Sequence, residues 1–557
     1  MMKKERNEFL GLLCNLYLIA LLAALPLYTG EGYWKLGDTK YILFRNVSVL
    51  CLGCWLVLGM PGRVRAVLEW IGTVAGKQTH TAGSGQAVKK KHISLSIVDW
   101  AMAAYGVCVT ISALCSAYGR LAWTGYEEWY MGAFSQLMFV GIYFFVSRQY
   151  DGSRVPLYVG VGAFGMVTVL GLLHRLGIDP LGLQTGWNSG DWEYNHMLST
   201  LGNINWLCGF YSVALAWLMV CFMGEQRRWI QVLWYMAVVA AFVLLGIQGS
   251  QGGLLILAVG VGVCLVLGVG QRNILKKLML LLAGFFLCMP LIDLLTKLRG
   301  KKAAVAVDGN VFDHTVWYGW VLAAAVCGVV YLLMACGILH KGKELVGKRF
   351  LPGERKKVWP LERRVLLWGA GGIFVLCCLV FTVCGTGGGS WRIDDRFGSG
   401  RGLLWRVALE GFDLAGWKDK LLGAGPDCYA EAVFNRLAAG TDVWNGEHWE
   451  GAIFTNAHNE TLSQLINVGI MGTVSYLAIF FAGLLRYCGN RNSSGGLWYV
   501  RWLGVLAIAM YGAHGLISFQ QVLNAPILFV TLGLCEYGMR CYGDLENTEA
   551  DNERLRK

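Results

Sequence analysis

The chain has 557 residues, of which 55% are hydrophobic and only 15% charged, with a mean hydropathy of +0.48 and a formal net charge of +12. A soluble domain carries about a quarter charged residues, so this composition excludes a water-soluble globular enzyme. Its apolar runs are continuous, which excludes a β-barrel built from short alternating segments.

Runs of about 20 apolar residues, the length that crosses a bilayer, recur along nearly the whole chain. In chain order they predict about fourteen spans, near 9–29, 41–60, 95–118, 129–147, 155–177, 201–222, 229–247, 252–270, 278–297, 316–339, 365–385, 460–485, 498–519 and 522–540. The expected fold is all-α and polytopic. The first run is too long for a cleaved leader, and no small-x-small site closes it. With the N-terminus inside, the inner segments and inner span edges hold 32 of the 48 Lys and Arg, including Lys89-Lys90-Lys91. The outer segments hold 13, seven of them in one long loop. That bias is what the positive-inside rule predicts. An even number of spans also returns the charged tail to the inside, so the expected location is the cell membrane, multi-pass, with both termini cytoplasmic. The positive charge is therefore topological. It calls for the lipid bilayer as partner and for no nucleic acid, since a basic, aromatic-interleaved face on a soluble fold is missing.

Four sections follow from this count: helices 1–11 over 1–385, an extracytoplasmic loop over 386–457, helices 12–14 over 458–541, and a tail over 542–557. Nearly all 18 cysteines fall within spans, Cys51 and Cys54 among them, where small apolar packing residues are the expected role. Asp293 and Lys297 lie four apart near a helix end and predict a structural ion pair.

The long loop carries the most information. It opens on Gly387-Gly388-Gly389-Ser390, then turns amphipathic from Arg401 to Phe412 with apolar positions at helical spacing. Leu421-Leu422-Gly423-Ala424-Gly425-Pro426 predicts a turn, and about 427–439 a further short helix. Trp405, Trp417, Tyr429, Phe434, Trp444 and Trp449 suit a segment lying on the bilayer surface. The loop meets the next span at Ala457-His458-Asn459-Glu460. A titratable imidazole at a membrane interface is costly, so it calls for a chemical reason.

Four segments together resemble the O-antigen ligase and polysaccharide polymerase superfamily of bacterial envelope transferases. Gly202-Asn203-Ile204-Asn205-Trp206-Leu207 looks like its G-N-x-N-x-L at the start of a span. Arg401 to Trp405, followed by Leu422-Gly423-Ala424-Gly425-Pro426, looks like its R-x-x-x-W…L-G-x-G-P loop. His458-Asn459-Glu460-Thr461-Leu462 with Gly469-Ile470-Met471-Gly472 looks like its H-N-x-x-L…G-x-x-G signature, and His514-Gly515 through Gly533 resembles its last helix pair. The pieces are scattered over roughly the C-terminal two-thirds of the chain.

The resemblance implies a GT-C-like helical fold and transfer of a glycan from a polyprenyl diphosphate donor, such as undecaprenyl diphosphate, to a glycan, lipid or protein acceptor. It implies no metal and no cofactor. That chemistry needs a base for the acceptor hydroxyl, and His458 is the candidate. It needs a cation for the diphosphate leaving group. Arg401 is the best match, with Arg396 and Arg406 as helpers. Asn459 and Glu460 are expected to orient the imidazole or hold sugar hydroxyls, and Asn203 and Asn205 to line the cavity. The same residues also admit plainer readings: Arg401 as a headgroup-binding face, Asn203 and Asn205 as amides bonding between helices. One departure stands out. Gly249-Ser250-Gln251-Gly252-Gly253 places Gln251 where the family often has arginine, so that charge is missing or comes from Arg175, Arg299 or Arg392. Two alternatives remain: a metal-dependent transferase using Asp191 and Glu193, or Asp394 and Asp395, and a flippase without chemistry.

Overall fold

The computed structural model describes residues 3–74, 95–188, 190–268, 271–300, 317–336, 395, 397–437, 454–488 and 495–556, with side chains up to 59 in the first stretch and up to 542 in the last. The predicted span at 365–385, together with Arg392, Asp394, Arg396, Trp444 and Trp449, lies outside the described residues. The protein is an all-α, multi-pass membrane protein.

Its long helices in chain order are α1 (Lys4–Leu27), α2 (Leu36–Val74), α3 (Ile97–Cys115), α4 (Ala133–Gln149), α5 (Val155–Arg175), α6 (Ile204–Gly224), α7 (Arg228–Ile247), α8 (Gln251–Gly268), α9 (Arg272–Arg299) and α10 (Trp317–Ala335). Three shorter helices follow, α11 (Phe397–Asp413), α12 (Trp417–Leu422) and α13 (Tyr429–Leu437), and then α14 (Glu460–Tyr487), α15 (Gly495–Gly515) and α16 (Ala525–Arg556). Among the described residues ten helices are long and apolar enough to cross a membrane. The predicted spans at 129–147, 498–519 and 522–540 coincide with α4, α15 and α16, which fall outside that set of ten.

Local chemistry sets the helix starts. Ser96 and Asp99 form a reciprocal capping box that opens α3, satisfying two otherwise orphaned N–H groups. Pro156 stands in the first turn of α5, where its missing N–H costs nothing. Helix α6 is buried on nearly every side and packs against α5, α7, α8, α15 and α16. It is the hub of the bundle, and Trp217 on it donates across to Thr531 on α16 at 2.9 Å. On the outside, Val57, Trp100, Val107, Met166, Leu233, Val474 and Leu485 stand exposed. A water-facing surface would not tolerate that apolar area; hydrocarbon does.

The two ends of the bundle differ in chemistry. At one end, Asp99 accepts from Arg148 at 3.1 Å, Arg540 at 2.5 Å and Tyr143 at 2.9 Å, while Glu536 accepts from Arg540 at 3.0 Å and Arg486 at 3.1 Å. Both carboxylates are fully buried, so each needs its partners, and the cluster clamps α3, α4, α14 and α16 together. At the other end meet the end of α3, the starts of α4, α6, α8, α14 and α16, and the end of α15. The candidate site lies there. The expected Asp293–Lys297 ion pair is present at 2.6 Å. Among the described residues the cysteines, Cys51 and Cys54 included, are free thiols.

Candidate functional site

A kink makes the site possible. Within α14, Gly469 leaves the helix with φ 67° and ψ −173°, which frees carbonyls of the preceding turn. The 421–426 turn docks on them: Ala424 N–H donates to Ile466 O and Gly425 N–H to Asn467 O, both at 2.9 Å. From α3, the Ser112 hydroxyl donates to the same Asn467 carbonyl at 3.1 Å, and Ser116 donates to Ala424 O at 2.5 Å. A Cβ on Gly423 would stand 2.2 Å from Asn467 O. Only glycine allows this backbone-to-backbone approach. The two glycine-bearing motifs are therefore two halves of one joint.

The joint carries the start of α14. Asn459 caps it, its side-chain oxygen accepting from Leu462 N–H at 3.1 Å. Its amide nitrogen donates to Leu516 O at 3.1 Å, in the connection between α15 and α16. The neighbouring Ile517 carbonyl accepts from Arg401 Nε at 2.8 Å, and Arg401 Nη1 donates to Gly398 O at 2.6 Å. Two residues further, Phe519 meets the His458 ring edge to face at 4.9 Å. The 516–520 connection thus ties Asn459, Arg401 and His458 into one constellation. Nothing in the linear pattern flagged that connection.

His458 has φ 45°, a conformation that costs a residue with a side chain about 1 kcal/mol or more and tends to cluster at functional sites. Its N–H donates to the Asn456 side chain at 3.0 Å. Burial, reinforced by the Arg401 charge, holds the imidazole down to about 4, so the ring is neutral at ordinary pH. Burial also lowers the Arg401 guanidinium, which nonetheless stays charged. Among the described residues its bonds to Ile517 and Gly398 engage two of its nitrogens, leaving N–H groups of the fork for an anion.

The other predicted residues separate. Glu460 does not reach the imidazole. Its carboxyl is buried and accepts from Tyr511 at 3.2 Å and from Tyr476, on α15 and α14. Arg406 turns away from Arg401 to bind Asp395 in a two-pronged pair, with contacts at 3.0 and 2.6 Å, and also reaches Glu410. Its fork is engaged there rather than beside Arg401. Asn203 caps α6 through Asn205 N–H at 2.8 Å, and the Asn205 side chain accepts from Ser250 at 2.7 Å, so both bond within and between helices. Gln251 opens α8, its side-chain oxygen buried without a partner among the described residues. A cation does stand beside this segment: Arg175, buried at the end of α5, donates to the Gln248 carbonyl. Arg299 instead closes the end of α5 through Leu176 O and Gly177 O. Asp191 accepts from Asn188 N–H at 2.6 Å within its own turn.

Three residues were missed. His514, at the end of α15, is buried where Gly209 and Gly252 leave it room; a Cβ on Gly209 would come within 3.2 Å of its ring. A histidine inside a predicted span was the available signal. The buried Asp427 carboxyl accepts from Tyr126 N–H at 2.8 Å and Met131 N–H at 2.9 Å. Burial pushes it up to about 7 against those two bonds. Phe519, the third, had no signal at all.

A comparison with protein-family models gives no match, and a comparison with curated proteins gives none either.

Proposed function

We propose that this protein is a glycosyltransferase of the cell envelope, with about fourteen spans in a GT-C-like arrangement. It moves or polymerises a glycan from a polyprenyl diphosphate donor, undecaprenyl diphosphate by expectation, onto an acceptor hydroxyl at the extracytoplasmic face. The observation that carries this reading is the juxtaposition at the 516–520 connection of a neutral imidazole with a partly buried guanidinium, two of whose nitrogens are engaged by carbonyls among the described residues. The first suits a proton acceptor and the second an anion. The bundle around them offers apolar faces to a polyprenyl tail.

In this scheme His458 takes the acceptor hydroxyl proton as the oxygen attacks the anomeric carbon. The bond from that carbon to the diphosphate oxygen breaks, and its electron pair leaves with the polyprenyl diphosphate. Arg401 offsets the charge that grows there. A charge contact of this kind strengthens as water is excluded.

The test is turnover. The purified chain in lipid nanodiscs, given a polyprenyl-diphosphate-linked glycan and its acceptor, is expected to release polyprenyl diphosphate at an undiminished rate in EDTA. Loss of activity in the chelator would favour a metal-dependent scheme, and no release under any condition would sink the reading.

Two further outcomes follow. Arg401→Lys keeps the charge but loses the planar fork and its paired bonds, so the rate is expected to fall about tenfold to a hundredfold. A wild-type rate would remove Arg401 from the site. The pH profile follows from the neutral ring. A base works unprotonated, so kcat/KM, which reports the free enzyme, is expected to stay level on the acid side until pH nears about 4. Bound diphosphate adds negative charge beside the ring and raises its proton affinity, so the acid limb of kcat is expected at higher pH. An acid limb near 6.5 in kcat/KM would contradict the buried, neutral imidazole.

A further inference from the structure

Beside His458, on the far side of Phe519, lies a pocket of about 500 Å³ counted with its solvent mouth. Trp129 and Phe519 supply aromatic walls, and Phe519 is the ring that touches His458. Asp427 and Glu460 line it, as do Gln136, Gln464, Asn467 and Gln520. None of the lining residues is Lys, Arg or His.

The amides are held in place. Tyr105 donates to Gln136 at 2.8 Å, Gln136 donates to Gln520 at 2.7 Å, and Gln464 donates to Tyr105 at 3.3 Å. Gln136 gives both amide N–H groups to protein, to Met131 O and Gln520, while Gln464 and Gln520 give one each, to Tyr105 and Tyr476. The Asn467 side-chain oxygen is buried and has no partner among the described residues. A pocket walled by aromatic rings, lined by amide-bearing and acidic residues and free of cationic side chains fits a polar ligand with no negative charge.

We propose that this pocket seats the acceptor sugar, as an uncharged or amino-sugar ring, and rejects uronic and other anionic sugars. The assignment to the acceptor rests on the transferase reading above. The order along 516–520 supports it: Ile517 holds Arg401, Phe519 touches His458, and Gln520 enters the pocket. The base therefore stands between the anion-binding side and the sugar side, where an acceptor hydroxyl would present its proton. Diphosphate belongs with Arg401, because no cationic side chain lines this pocket to hold it.

The experiment is saturation-transfer NMR on the full chain in nanodiscs, with N-acetylglucosamine, glucosamine and glucuronate as probes at equal concentration. Signals are expected from the first two and not from glucuronate. They are expected to fall at least about fivefold in Gln464→Ala and in Trp129→Ala, and to persist in His458→Ala, which serves as the folded control. In turnover, Gln464→Ala is expected to raise the acceptor KM while largely sparing kcat, a split that general loosening of the fold would not produce. Glucuronate signals as strong as the others, silence from all three probes, or an unchanged Gln464→Ala would overturn the pocket. Sugar signals without any release of polyprenyl diphosphate would instead sink the transferase reading and leave the sugar site standing.

Discussion

Replacing His458 with alanine is expected to lower glycan transfer by about 10²–10⁴-fold, the usual worth of a positioned general base. Melting temperature should change little. The imidazole makes an edge contact with Phe519, while the anchoring of the segment runs through the Asn456 side chain, the Asn459 cap and the Leu516 carbonyl. All of those survive truncation of the ring. Alanine also tolerates φ 45° poorly, as histidine already does, so the backbone cost is similar in both proteins. The measurement is initial rate at saturating donor beside a thermal melt. A variant that melts like wild type and turns over like wild type would show that the ring is an interfacial polar residue and no base.

The second large effect is structural. Gly469→Ala is expected to destabilise the protein by more than about 3 kcal/mol, for two reasons that add. Its φ of 67° is a conformation that a Cβ disfavours by about 1–2 kcal/mol. The new Cβ would also sit 2.4 Å from Leu421 O and 2.5 Å from Gly423 N, a clash with backbone that no rotamer change relieves. Either the kink straightens or the 421–426 turn lifts off. In both cases the carbonyls of Ile466 and Asn467 lose their bonds to the turn, and the pocket wall at Asn467 moves. Gly512→Ala is the control. It lies inside α15 with nothing within 4 Å of its added Cβ, so it should be neutral or slightly stabilising. Melting curves in one detergent compare the two. Equal melting temperatures would mean that the joint at Gly469 is not structurally important.

The sequence made the helices legible and the site only partly so. Spans follow from the length of apolar runs, a local property, and each one within the described residues coincides with a helix. The amphipathic stretch from Arg401 appears as α11, and the expected helix near 427–439 as α13. Asp293 and Lys297 pair because four residues is one helical turn. What stayed hidden was long-range. Glu460 pairs with Tyr511, fifty-one residues on, and Asp99 with Arg540, 441 residues on; no spacing rule reports such contacts. Arg406 and Arg401 share a helix and looked alike, yet Asp395 claims one and the 516–520 connection the other. Gln251 drew attention as a missing charge, while an arginine from α5, Arg175, donates into that segment.

One experiment separates transfer from mere transport. The chain is reconstituted in sealed liposomes with a fluorescent polyprenyl-diphosphate-linked glycan on the site-bearing side and a matching acceptor in solution. The transferase reading predicts labelled glycan on the acceptor, with one polyprenyl diphosphate left in the bilayer for each glycan moved. Labelled glycan that crosses to the opposite leaflet still joined to its lipid, with the acceptor unmodified, would contradict it.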